Sequence, residues 1–160
     1  MQSFKIENFV RENPGLSPPR FQPLSDSEAS ALAERLLTRA GRPKGTPSEV
    51  IRWLSEQATP LGGLNLNENE VALHELFRRA GIKPGPVVYV EWGPLRDVDR
   101  FETDELCRYF YDVWYPSADD VEIFDDTTAW LIFVRHYGGV EVWQAPLISG
   151  HIRDGSKAGV

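Results

Sequence analysis

The sequence predicts an α+β domain. It should have a small, mostly antiparallel sheet of about four strands, N-terminal helices, and one helix over about residues 103–114 packed on the sheet. Three observations carry that expectation. Apolar residues recur at helical spacing behind two capping boxes in the first half of the chain. After Pro84-Gly85-Pro86 the pattern turns β-branched and aromatic. Ala129 to Val134 is apolar throughout, as a central strand covered on both faces would be.

Residues 1–24 are punctuated by Pro14, Pro18, Pro19 and Pro23 and show little periodicity, so they read as a tail or wrapping arm. Phe4, Ile6, Phe9 and Val10 could dock it on the domain or form a short helix. The domain proper is expected over 25–146, helical over 25–82 and sheet-forming over 86–146. Ser25-Asp26-Ser27-Glu28 has capping-box spacing, in which hydroxyl and carboxylate each accept a free backbone N–H. Ala29, Leu32, Ala33, Leu36, Leu37 and Ala40 follow as the buried stripe, and Gly41 stops the helix. Thr46-Pro47-Ser48-Glu49 repeats the box with Pro at the first helical position, ahead of Val50, Trp53, Leu54 and Ala58. A third helix is expected from near Asn67 or Asn69 to Ala80.

Val87 to Trp92 reads as a strand bounded by Gly93-Pro94. Thr103 opens the next helix, with Asp104 and Glu105 where the helix dipole favours anions and Leu106, Phe110 and Val113 on the buried face. Val121 to Asp125, Ala129 to Val134 and Val140 to Gln144 form a meander, with turn residues at His136-Tyr137-Gly138-Gly139. Residues 147–160 are expected to fray as a C-terminal tail.

Composition excludes several function classes. No apolar run nears the roughly 18 residues of a membrane helix. No basic-then-apolar leader opens the chain, and Cys107 is the single cysteine, so a reducing, cytoplasmic setting is expected. Gly-rich phosphate loops and basic stripes with stacking aromatics are lacking, which argues against nucleotide hydrolysis and nucleic-acid binding. The net charge of −7 is unevenly placed: Glu91 to Asp126 holds twelve acidic and three basic residues, so that window carries −9 and the remainder +2. Such a field favours basic partners, although a solvated face that keeps the protein soluble gives the same count.

The acidic residues Asp119, Asp120, Glu122, Asp125 and Asp126 are hard oxygen ligands. They fail the calcium-loop spacing, and a strand would separate its two ends by about 20 Å. One end could hold an ion but the set could not; neither a cofactor nor a metal is expected. His136, with Asp125 or Asp126 near in the hairpin, could form a general-base pair or simply sit in solvent. Cys107 reads as a small buried filler. No catalytic residue is assigned. Thirteen of the eighteen Phe, Trp and Tyr lie between Tyr89 and Trp143, and Trp92, Trp114, Tyr115 and Tyr137 are the ones expected to be partly exposed. Trp114 and Tyr115 beside the five carboxylates have the composition of a partner-binding patch for a basic protein.

The run Trp114-Tyr115-Pro116-Ser117-Ala118-Asp119-Asp120, with the hairpin Trp130 to Trp143, resembles the small acidic α+β immunity proteins of bacterial toxin–immunity systems. The resemblance covers Val87 to Gln144 and implies a cytoplasmic, non-enzymatic inhibitor that covers the active site of a basic partner such as a toxin. The alternative is a small metal-assisted hydrolase using paired aspartates and His136.

Overall fold

The computed structural model describes residues 1–93 and 95–146; the expected C-terminal tail at 147–160 lies outside them. Among the described residues, five helices and seven strands alternate irregularly. They are α1 (Ser3–Glu12), β1 (Phe21–Pro23), α2 (Asp26–Arg39), α3 (Pro47–Gln57), β2 (Thr59–Pro60), α4 (Leu73–Arg79), β3 (Val87–Glu91), β4 (Val98–Glu102), α5 (Thr103–Val113), β5 (Val121–Asp125), β6 (Trp130–Val134) and β7 (Val140–Gln144). The strands form one sheet in the order β1-β4-β3-β5-β6-β7-β2, with every pair antiparallel.

The α+β class is therefore as expected, but the sheet has seven strands and not about four. The four anticipated strands are β3, β5, β6 and β7. The additional internal one is β4, whose sequence Val98-Asp99-Arg100-Phe101-Glu102 carries charges on both faces and lacks apolar alternation. The additional edge strands β1 and β2 are three and two residues long, and each contains a proline. Proline offers the ladder no donor, so it suits an edge.

Both capping boxes form as their spacing predicts: Ser25 with Glu28 on α2, Thr46 with Glu49 on α3. The third helix, α4, begins only at Leu73. Residues upstream dock instead on the β6–β7 hairpin, where the Leu66 N–H bonds the Gly138 carbonyl and the Asn67 amide donates to the His136 carbonyl. The N-terminal 24 residues contain α1 and the edge strand β1.

Cross-strand partners in an antiparallel ladder share a face. One face therefore carries Tyr89, Glu91, Glu122, Phe124, Leu131, Phe133, Glu141 and Trp143. Helices α2 and α3 cover it: Arg35 reaches Asp126, and Ser55 meets Arg135. The opposite face carries Val88, Val90, Asp99, Phe101, Ile123, Ile132 and Val142. Helices α4 and α5 cover that one, Phe77 meeting Trp130 edge-on at 5.7 Å, and α1 lies against α5. The central strand β6 is buried along its whole length, consistent with cover on both sides.

Candidate functional site

The seven residues singled out as a partner-binding patch do not share one outward surface. Trp114 is fully buried, its ring stacked on Phe110 at 5.6 Å and its indole N–H donating to the Asp119 carbonyl. That corrects the expectation of a partly exposed anchor, since Trp114 is the C-cap of α5 and turns into the core to satisfy its own N–H. Glu122 and Asp125 are also buried, in agreement with a β5 that is covered on both faces. Asp125 organises the β5–β6 turn, accepting from the Gly85 and Thr127 backbone N–H groups at 3.0 Å each. Asp126, at the same end, accepts from the Tyr89 hydroxyl at 2.9 Å and from Arg35 at 3.2 Å.

Asp119 and Asp120 lie at the other end of β5. Asp120 accepts from the His136 backbone N–H at 2.7 Å and meets His136 Nδ1 at 2.9 Å. His136 thus pairs with Asp120, not with Asp125 or Asp126. Both partners are about half exposed, so the pair has none of the desolvation that tunes a general base. Among the described residues no three metal-ligating side chains converge. Burial lifts the Cys107 thiol to about 11, which makes it inert at neutral pH.

Asp119 belongs to a different constellation. The Lys5 side chain, reaching in from α1, is 1% exposed. Its ammonium donates to an Asp119 carboxylate oxygen and, at 2.6 Å, to the Val113 carbonyl at the end of α5. The rings of Trp92 and Tyr115 each lie 4.4 Å from it. A carboxylate, a helix C-terminal carbonyl and two aromatic faces therefore enclose one ammonium, a charge-assisted and cation–π cage. The same Asp119 oxygen accepts the Tyr115 N–H at 2.8 Å, which fixes the turn that carries both groups.

Desolvation pulls the Lys5 pKa below its ordinary value, against the opposing pull of Asp119. Beside the cage, Asp99 is wholly buried on β4. One of its oxygens accepts from the Met1 nitrogen and, at 2.7 Å, from the Trp92 indole; the other has no hydrogen-bond partner among the described residues. No family model, curated protein or solved structure matches this chain. The cage is thus read from its own chemistry.

Two further features involve residues of the α2–α3 face. Glu91 and Glu122 are direct cross-strand partners, both buried, with Arg135 3.6 Å from Glu122 and 2.8 Å from Glu141. Burial, then the hydrogen bond and charge of Glu91, hold the Glu122 carboxyl well above the ordinary range. A cleft of about 670 Å³ elsewhere is lined by Arg39, Arg79, Trp53 and Trp143. Its arginines stand in the last turns of α2 and α4, where they complement the helix dipoles.

The residues missed from the sequence are Lys5, Asp99, Glu91 and Arg135. One signal existed for Lys5: it stands four residues before Phe9, so both fall on one helical face, and these are the two buried residues of α1. Asp99 and Glu91 are placed by cross-strand pairing and Arg135 by the β6–β7 turn, which no local pattern encodes.

Proposed function

We propose that this chain is a protein-binding module, an inhibitor of the immunity type it resembles, which neutralises a basic partner by enclosing a lysine of that partner. The observation that carries the reading is the Lys5 ammonium held between Asp119, the Val113 carbonyl and the Trp92 and Tyr115 rings. Those groups belong to the acidic window, and they are complementary to a primary ammonium in charge, donor count and shape. The charge excess contributes steering more than affinity, since exposed charges are screened beyond about 8–10 Å at moderate salt.

The test is capture of the partner on immobilised protein, followed by kinetics at 50 and 300 mM salt. A basic partner whose association rate falls several-fold over that range, and whose own activity is abolished at equimolar protein, supports the reading. An acidic partner, or an association rate indifferent to salt, refutes it. A second reading, a metal-assisted hydrolase, retains one specific observation in its favour: Asp120 holds His136 by Nδ1. Calorimetry with Mg²⁺ and Mn²⁺ separates the two, because only the hydrolase should give a saturable heat that disappears in Asp120→Asn.

A further inference from the structure

We propose that α1 is an intramolecular stand-in for the partner: the cage beneath it is a lysine subsite, and a lysine-bearing amphipathic helix of a basic protein takes the place of α1. The inference rests on the protein-binding reading above and adds how the surface is uncovered. Four observations lead to it.

The cage is complete for one ammonium and is already filled, so its specificity is visible in its own occupant. Helix α1 is joined to the sheet only through residues 13–20, which include Pro14, Gly15, Pro18 and Pro19. Gly15 has φ +89, a conformation that glycine adopts without strain. Displacement of α1 about this tether would leave the β1–β4 pairing in place. Besides Lys5, the N-terminal segment is anchored by Met1, whose nitrogen bonds Asp99, and by the buried Phe9, anchors that an incoming helix has to replace. Asn8 donates to the Tyr115 hydroxyl at 3.2 Å and Phe9 meets Tyr109 edge-on at 5.5 Å, while Phe4 and Val10 remain about half exposed. Finally, the buried Asp99 oxygen without a partner among the described residues is an acceptor that α1 leaves unused. A ligand offering one more N–H donor gains a bond that α1 does not make, which lets a partner outcompete a tethered helix.

The probe is a synthetic peptide of residues 1–12 added to the full-length chain carrying Lys5→Met, which keeps an apolar stem and removes the ammonium. Binding is read by tryptophan fluorescence, since Trp92 lines the cage. The Lys5→Met chain should bind the peptide saturably. A peptide carrying Lys5→Gln should bind at least about tenfold more weakly, given the loss of a charge-assisted bond and two cation–π contacts. The wild-type chain should also bind the unmodified peptide at least about tenfold more weakly, because its own α1 competes at high effective concentration.

A folded Lys5→Met chain with no saturable binding, or equal binding of the Lys5→Gln peptide, overturns the proposal. If Lys5→Met does not fold, the wild-type chain nicked by protease between residues 13 and 20 replaces it. Exchange of a labelled peptide into the nicked chain supports the inference, and none over a day at 37 °C overturns it. A concentration-dependent dimer with exchanged α1 helices also overturns it, assigning the cage to a second copy. Because the probe needs no natural partner, peptide exchange without partner capture counts against the inhibitor reading and leaves the lysine subsite standing.

Discussion

Removing the Asp119 carboxylate would strand the Lys5 ammonium in the interior with one carbonyl and two rings around it. Breaking a buried pair from one side costs far more than the pair is worth as a whole, so Asp119→Ala should lose about 3 kcal/mol or more of unfolding free energy. Its neighbour Asp120 makes an exposed contact to His136. Asp120→Ala should therefore lose less than about 1 kcal/mol. Urea denaturation of the two variants decides this, and similar losses would contradict the assignment of Asp119 as the partner of the buried Lys5 ammonium.

A second residue-scale prediction concerns pH. The folded state holds the Glu122 proton more tightly than the unfolded chain does. Between the ordinary glutamate range and that raised value the native state binds more protons, so unfolding free energy falls as pH rises. The contribution is fully present below about pH 4.5, the ordinary value, and is lost as pH climbs through the raised one. Glu122→Gln mimics the protonated form and removes the dependence. Its urea midpoint, relative to wild type, should rise steadily from pH 5 to pH 8, and a constant difference would show that Glu122 keeps an ordinary carboxylate.

The elements differ in how much of themselves the sequence discloses. The starts of α2 and α3 were legible because every partner in a capping box lies within three residues. Strands β5, β6 and β7 were legible because apolar runs and a Gly-containing turn are local signals. Strand β4 was not, because its buried Asp99 is made tolerable by Trp92 and by Met1, ninety-eight residues away. The front of α4 was misread because Asn65 to Asn69 is claimed by the hairpin it packs on.

That docking is close. Gly138 has φ +87, and a Cβ there would lie 2.7 Å from the Asn67 nitrogen and nearer still to the Asn65 side chain. Gly138→Ala should therefore cost about 1–3 kcal/mol, from strain and from overpacking together. It should also loosen residues 65–69 to proteolysis while β5 and β6 stay protected. Helix α1 gives the other element-scale prediction. With a proline-rich tether and half-exposed Phe4 and Val10, it should open below the global unfolding free energy. Hydrogen exchange by mass spectrometry should show α1 amides exchanging long before those of β3, β5 and β6, and equal protection would mean that the helix is an integral part of the core.

At the scale of the molecule, the excess negative charge of Glu91 to Asp126 was plain in the sequence, but its destination was not. Folding brings Lys5 to Asp119, Arg20 to Glu102 and Glu105, Arg35 to Asp126, Arg135 to Glu122 and His136 to Asp120. Each of these partners except Arg135 and His136 comes from the first 35 residues. Several carboxylates of the acidic window are thus paired within the chain, and a count along the sequence overstates the field that reaches solvent. No helix among the described residues is long and apolar enough to cross a membrane.

Pro23 and Pro60 stand in the outermost strands, one on each flank of the sheet. A neighbouring molecule seeking to extend the hydrogen-bonded array meets a missing donor on whichever side it approaches, over a stretch of only two or three residues. Lateral strand stacking on the native protein is therefore disfavoured at Pro23 and Pro60, and peeling β1 or β2 away would expose a longer edge.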